Sequence, residues 1–131
     1  MALVGGGNPV GGSNPAGTGS VLNYLGDHAY AYSGSVDVTT NETTLIDAFT
    51  GNNYIVAKFQ PVIIADTSDN MRFDVKINGE IITRVQMTSS TASTPYEEVE
   101  LIIAPNTRLE ITCTAPTTTR ACAALFTGRV Y

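Results

Sequence analysis

Residues 71–87 read MRFDVKINGEIITRVQM, two runs of mixed apolar and polar residues separated by the dipeptide Asn78-Gly79. Asn and Gly both tolerate a positive φ, which the two central residues of a type I′ turn require. An Asn-Gly dipeptide between alternating flanks is therefore a strong local signal for a β-hairpin. We predict an antiparallel hairpin here, with Val75 opposite Ile82.

The chain outside this hairpin also has sequence patterns that are typical of strands. In residues 98–103 apolar side chains alternate with glutamates, and in residues 108–113 they alternate with charged or hydroxyl side chains. An alternation with a period of two is typical of half-buried strands. Short runs of this kind recur between turn signals along the chain, at the spacing of a β-sandwich or a β-barrel. They predict strands at Val21–Leu25, His28–Ser33, Ser35–Thr39, Thr44–Phe49, Tyr54–Ala65, Met71–Asn78, Glu80–Met87, Tyr96–Ala104, Arg108–Thr114 and Arg120–Tyr131.

The composition favours the same fold class. Of 131 residues, 18 are Thr, 11 are Val and 10 are Ile, and these β-branched side chains favour pleated sheet over helix. Residues 61–65 and 121–126 are apolar on both faces, which indicates either central strands or a face covered by another chain. We expect an all-β protein, an antiparallel β-sandwich with a jelly-roll-like topology, occupying residues 21–131 as a single domain.

The charge balance excludes several classes of partner. The chain has 7 basic and 12 acidic residues and a net charge of −5, and its basic residues are scattered. They cannot neutralise a run of phosphates, so we expect no nucleic-acid partner. No window is apolar enough for a membrane span, and the N-terminus lacks the features of a secretory signal. The sequence also lacks phosphate-binding and dinucleotide-binding motifs, and we expect no cofactor and no metal.

The two cysteines, Cys113 and Cys122, are too few for a disulfide framework. A hairpin of residues 108–114 with residues 120–126 around Thr117-Thr118 would place the two cysteines directly opposite each other. Two interpretations follow, buried free thiols or a bridge. A reducing cytosol, where we expect the protein to be made, favours free thiols.

Residues 1–20 differ from the rest of the chain. They contain seven glycines and two prolines and no charged side chain, so they cannot bury enough apolar surface to offset the entropy of ordering. We predict a flexible N-terminal arm. It is either a disordered terminus or a segment that becomes ordered against a neighbouring subunit, with Leu3 and Val4 as its apolar anchor.

Few residues could carry catalysis. His28 is the single histidine, and it lies between Asp27 and a segment that contains Ser33. Neighbours on a strand point to opposite faces, which argues against a Ser-His-Asp triad, and we expect a protein that is not an enzyme. Tyr30 and Tyr32 share one face of their strand, so they form either a cross-strand packing pair or a platform for stacking sugars.

Three parts of the chain resemble small capsid decoration proteins, also called cement proteins, of tailed bacteriophages. They are the opening residues 1–8, MALVGGGN; the middle residues 51–59, GNNYIVAKF, with the hairpin of residues 77–81; and the closing segments 101–107, LIIAPNT, and 126–131, FTGRVY. Together they extend over nearly the whole chain. Similar patterns also occur in other trimeric jelly rolls, such as domains that resemble tumour necrosis factor or C1q, and phage fibre heads.

The resemblance implies a virion structural protein without enzymatic activity. Such proteins are made in the host cytoplasm and bind the outer surface of the expanded capsid, usually as homotrimers, between subunits of the major capsid protein. The arm would then contact the capsid through Leu3, Val4, Asn8, Pro9 and Val10. The alternative is a β-sandwich module that binds carbohydrate or the host surface through Tyr30 and Tyr32.

Overall fold

The structure is a computed structural model of the chain, and it describes residues 22–64, 70–87, 98–117 and 119–131. The predicted arm, residues 1–20, lies outside the described residues. The described residues form ten strands: β1 (Asn23–Leu25), β2 (His28–Tyr32), β3 (Val36–Val38), β4 (Thr43–Phe49), β5 (Ile55–Ile63), β6 (Met71–Ile77), β7 (Glu80–Met87), β8 (Val99–Ile103), β9 (Arg108–Thr114) and β10 (Arg120–Val130).

The strands form two antiparallel sheets. The first has the order β1-β2-β10-β5-β8, with β3 also paired to β10, and the second has the order β4-β9-β6-β7. Eight of the strands, β2 and β4 to β10, are shared equally between the sheets, and every connection among them changes sheet except the one from β6 to β7. This is the strand arrangement of a jelly roll. The predicted all-β sandwich is therefore confirmed.

The predicted hairpin joins β6 and β7. Asn78 has φ 51° and Gly79 has φ 88°, as a type I′ turn requires, and Ile77 pairs with Glu80. The predicted pairing of Val75 with Ile82 is wrong. Val75 pairs with Thr83 and Lys76 with Ile81, so Ile82 is the extra residue of a β-bulge.

The predicted hairpin around Thr117-Thr118 is also wrong. β9 pairs with β4 and β6, whereas β10 pairs with β2, β3 and β5, so the two strands belong to different sheets. The connection between them crosses the sandwich. Cys113 and Cys122 still lie close together, but they meet through the interior and not as neighbours in one sheet.

The core lies between the sheets and is built from the inward side of each strand. Phe59 of the first sheet and Phe73 of the second are fully buried, with ring centroids 6.3 Å apart, so they link the two layers directly. Leu109, Ile111 and Cys113, the apolar residues of the alternating run 108–113, are fully buried as well. The apolar run 121–126 belongs to β10, which lies inside the first sheet between β2 and β5. Its inward side chains Cys122, Ala124 and Phe126 are fully buried, whereas Leu125 on the outer side is 37% exposed.

Two buried hydroxyl groups form hydrogen bonds with backbone groups at the ends of strands. The Ser33 hydroxyl, at the end of β2, accepts a hydrogen bond from the backbone N–H of Ala124 (2.8 Å) and donates one to the carbonyl of Gly34. The Thr50 hydroxyl, after β4, donates to the carbonyl of Ala104 (2.8 Å) and accepts from the N–H of Thr107. These hydroxyls satisfy backbone groups where the strand ladders stop.

Candidate binding face

The outer side of the first sheet presents large apolar side chains to solvent. We call this surface the five-strand face, because β1, β2, β10, β5 and β8 all contribute to it. Its exposed or half-buried apolar and aromatic residues include Leu25, Tyr30, Tyr32, Val56, Ile102 and Leu125. The register of the sheet decides which of them are neighbours.

One continuous row of paired residues crosses all five strands. Leu25 pairs with His28, His28 with Arg129, Arg129 with Val56, and Val56 with Ile102. Directly paired residues lie on the same side of a sheet, so these five side chains share the five-strand face. Leu25 is 72% exposed and Ile102 is 75% exposed, although both are aliphatic. The row ends in an exposed aliphatic side chain at each edge of the sheet.

The two tyrosines selected from the sequence lie on the same face. The rings of Tyr30 and Tyr32 are 5.4 Å apart between centroids and are tilted by 42°. Tyr32 is 51% exposed, and it pairs with Leu125, which in turn pairs with Gln60. Tyr30 pairs with Asn23 on one side and Thr127 on the other. The result is an aromatic and apolar cluster flanked by amide and hydroxyl side chains.

The charged groups on or beside the five-strand face are partly neutralised by one another. The Lys58 ammonium lies 3.9 Å from Glu100 and 4.0 Å from Glu98, and the Arg129 guanidinium lies 2.9 Å from Asp27. Arg129 also lies over the ring of Tyr131, 5.8 Å from its centroid. All these groups are largely exposed, so each pair contributes little to stability. Their arrangement leaves the apolar residues as the main feature of this face.

The outer side of the second sheet, the four-strand face, has a different chemistry. Four acidic and four basic side chains form three groups of ion pairs there: Arg72, Asp74 and Arg84; Glu42 and Lys76; and Asp47, Arg108 and Glu110. In the first group Asp74 is 2% exposed and accepts two hydrogen bonds from Arg84, at 2.7 and 3.3 Å. Arg72 lies 3.8 Å from the same carboxylate. Paired charges therefore occupy much of the four-strand face, and two apolar side chains, Phe49 beside Arg108 and Ile81 beside Lys76, are exposed on it as well.

Two carboxylates of the four-strand face have shifted pKa values. The Lys76 ammonium, 2.8 Å from Glu42, holds the pKa of that carboxyl below its usual value, and a hydrogen bond from the Thr112 hydroxyl acts in the same direction. Two hydrogen bonds from Arg108 lower the pKa of Asp47. Both groups are therefore held ionised by a specific basic partner.

The residues considered for catalysis do not meet as a triad. His28 lies 3.4 Å from Asp27, but both are exposed at the outer surface of the first sheet. Ser33 is fully buried, and its hydroxyl is bonded to the backbone of Gly34 and Ala124. Within the described residues, no group of three or more His, Cys, Asp and Glu side chains is placed to hold a metal ion.

The sequence predicts the tyrosine pair but gives no local signal for most of the five-strand face. Leu25, Val56, Ile102 and Leu125 come from four different strands, so their proximity depends on the strand order. One signal was present for Ile102, because the alternation of residues 98–103 places this isoleucine on the same side as Glu98 and Glu100. The arm residues proposed as capsid contacts, Leu3, Val4, Asn8, Pro9 and Val10, lie outside the described residues.

Comparison with known proteins identifies no relative: no family model, no curated protein and no solved structure matches this chain. Over the described residues no helix is long and apolar enough to cross a membrane.

Proposed function

We propose that this protein is a non-enzymatic decoration protein of a tailed-bacteriophage capsid, which binds between major-capsid subunits on the outer surface of the shell and stabilises it. The resemblance of its opening, middle and closing segments to such proteins suggests this role. The five-strand face is the observation that carries the proposal, because an exposed apolar surface of this kind is typical of a protein-binding site.

The difference between the two faces supports a defined orientation on the capsid. Binding the four-strand face would remove paired charges from water, at a desolvation cost that their mutual attraction need not repay. Binding the five-strand face would instead bury aliphatic and aromatic side chains such as Leu25, Val56 and Ile102, which favours association. In this proposal the five-strand face contacts the shell and the four-strand face remains in water.

The proposal includes assembly as a homotrimer, as the resemblance implies. Many copies on one capsid then act together, so a modest preference of each copy for the expanded shell gives a large total stabilisation. The Gly-rich arm would add a tether to the neighbouring subunit. Its contribution is tested separately, by comparing the rate of proteolysis of residues 1–20 in free and capsid-bound protein; equal rates would exclude the tether.

The stabilising role can be measured with DNA-filled heads of the parent phage that lack this protein. Heads are heated with a DNA-binding dye, with and without added protein, and the temperature of DNA release is recorded. We expect added wild-type protein to raise that temperature. Ile102→Glu should abolish the effect, because it places a charge in the proposed contact, whereas the control Ile81→Glu changes an exposed isoleucine of the second sheet and should act like wild type. No change with wild-type protein would contradict the proposal.

The tyrosine cluster favours a second candidate function, carbohydrate binding. Tyr30 and Tyr32 offer two adjacent ring surfaces, with Asn23, Thr127 and Gln60 nearby as hydrogen-bonding side chains. Stacking on aromatic rings together with polar contacts is a chemistry suited to sugar recognition.

This second candidate is tested by NMR titration of the full-length protein with oligomers of glucose and of N-acetylglucosamine. Binding at the cluster predicts saturable shifts that are centred on β2 and β10 and that disappear in Tyr32→Ala. The control Tyr54→Ala removes a similarly exposed tyrosine at the start of β5 and should retain the shifts. The absence of shifts with every oligomer would show that the cluster binds neither glucose nor N-acetylglucosamine oligomers.

A further inference from the structure

The only two cysteines of the chain meet inside the sandwich. Cys113 lies on β9 of the second sheet and Cys122 on β10 of the first, and both side chains are fully buried. Their thiols lie close enough to interact directly, and both are free thiols in the structure. Two thiols in contact across a core are placed for a chemistry that a lone buried cysteine cannot perform.

Both cysteines lie close to one end of the sandwich. Cys113 is the penultimate residue of β9, and Cys122 is the third residue of β10. The first sheet has little strand pairing on one side of Cys122, because this residue pairs there with Val36 of β3, a strand of three residues. Short strands at the margin of a sheet open locally at a lower free-energy cost than the central ladder. Release of β3 would expose Cys122 while the rest of the sandwich stays folded.

We propose that Cys113 and Cys122 form an intramolecular disulfide between the two sheets when the folded protein meets a disulfide oxidant. In the first step the Cys122 thiolate attacks one sulfur of the oxidant, for example oxidised glutathione, and one glutathione leaves as a thiolate. Cys113 then loses its proton and attacks the Cys122 sulfur of the mixed disulfide, which releases the second glutathione. The two cysteines are oxidised by two electrons, and the oxidant is reduced to two thiols.

The position of the thiols supports this order of attack. Cys122 is the cysteine beside the short β3 strand, so it is the first that local opening makes accessible to the oxidant. The interaction with the Cys122 thiol, together with burial, raises the pKa of Cys113, which keeps that thiol protonated until the second step. The rate of bridge formation should rise with pH, because the thiolate is the nucleophile.

The inference is independent of the proposed function. It assigns a redox modification site to the fold, at which a bond ties β9 to β10 across the core. Such a bond restricts the unfolded chain and should raise the thermal midpoint of unfolding if the sheets accept it without strain.

Mass spectrometry of the full-length protein tests the proposal. Reduced protein is incubated with oxidised glutathione under native conditions, then denatured and alkylated with iodoacetamide. The proposal predicts a monomer that has lost two hydrogens, takes up no alkyl group and yields a peptide with Cys113 bonded to Cys122. Circular dichroism should be unchanged, and the thermal midpoint should be higher than that of the reduced protein.

Single-cysteine variants provide the matched controls. Cys113→Ala should stop at the mixed disulfide between Cys122 and glutathione, whereas Cys122→Ala should react more slowly, because it lacks the first nucleophile. Two alkylated thiols after prolonged oxidation of the native wild type would overturn the proposal. A disulfide between two molecules in place of the internal one would overturn it as well.

Discussion

At the scale of single residues, Asp74 is the most buried charged side chain of the four-strand face. It is 2% exposed, and its charge is balanced by hydrogen bonds from Arg84 and by the nearby Arg72. We expect Asp74→Ala to lower the free energy of unfolding by about 2 kcal/mol, because hydrogen bonds to a charged group are lost. Urea denaturation measures the change.

The matched control for Asp74 is Asp47, which binds Arg108 through two similar hydrogen bonds but is much more exposed. Water screens an exposed pair, so Asp47→Ala should cost clearly less than Asp74→Ala. Equal losses for the two variants would show that burial does not set the strength of these ion pairs.

Glu42 and Asp47 predict a dependence of stability on pH. Both have a pKa that is lowered by a basic partner in the folded protein, so their contribution is present above the pKa of the unfolded chain, which is about 4. It is lost as the pH falls through the lower pKa of the folded state. Urea denaturation at near-neutral pH and at about pH 3 should show this loss, and Glu42→Gln should show a smaller one. The same pH dependence in Glu42→Gln would exclude a role for the Glu42 pair.

Gly128 is the glycine whose missing side chain matters most to packing. A Cβ at this position would lie 2.7 Å from Cγ2 of Ile55 and 2.9 Å from both Cβ of Ala57 and the carbonyl oxygen of Val56. The backbone of β5 cannot yield easily, so Gly128→Ala should lower the free energy of unfolding by about 1–3 kcal/mol. Thr127→Ala, on the exposed side of the same strand, is the control and should cost less. A neutral Gly128→Ala would show that β5 and β10 can separate at this point.

At the scale of elements, the hairpin between β6 and β7 depends on the backbone conformation of its turn. Gly79 has φ 88° and an added Cβ would meet no atom within 4 Å, so Gly79→Ala tests strain without a clash. We expect a loss of about 1–2 kcal/mol in the free energy of unfolding. Asn78→Gly keeps the turn geometry but removes the acceptor of the Arg108 N–H (2.9 Å), so it measures the link to β9 separately. Thermal denaturation that gives no loss for Gly79→Ala would contradict this account of the turn.

Elements determined by local chemistry could be predicted from the sequence. The Asn78-Gly79 turn is one example, and the alternating strands β8 and β9 are others, because their signals lie within a few residues. The bulge at Ile82 could not be predicted, because isoleucines at 81 and 82 suit either register. The hairpin of β9 with β10 failed for a related reason: alternating strands look the same whether they pair within a sheet or face each other across a core.

The residues of the candidate site also differ in whether their proximity could be predicted from the sequence. Tyr30 and Tyr32 could be predicted as neighbours, because residues two apart on a strand share a face. The row from Leu25 to Ile102 could not, because it depends on the order of five strands that are distant in the sequence. Long-range pairing of this kind follows from the whole fold and leaves no local pattern.

At the scale of the whole molecule, the two outer faces differ in their balance of charged and apolar side chains. The four-strand face carries most of the ion pairs, with Phe49 and Ile81 exposed among them, and the five-strand face exposes a row of aliphatic and aromatic side chains across five strands. A sandwich whose five-strand face presents such a row is suited to bind a larger protein surface through that face, and this is the central claim of the proposed function.

Co-sedimentation of the purified full-length protein with heads of the parent phage tests this claim most directly. Expanded and unexpanded heads that lack the protein are incubated with increasing amounts of it, and the bound protein is measured after pelleting. The proposal predicts saturable binding to expanded heads, with little binding to unexpanded heads, and loss of that binding in Ile102→Glu but not in Ile81→Glu. No binding to expanded heads, or equal binding by Ile102→Glu and wild type, would contradict it.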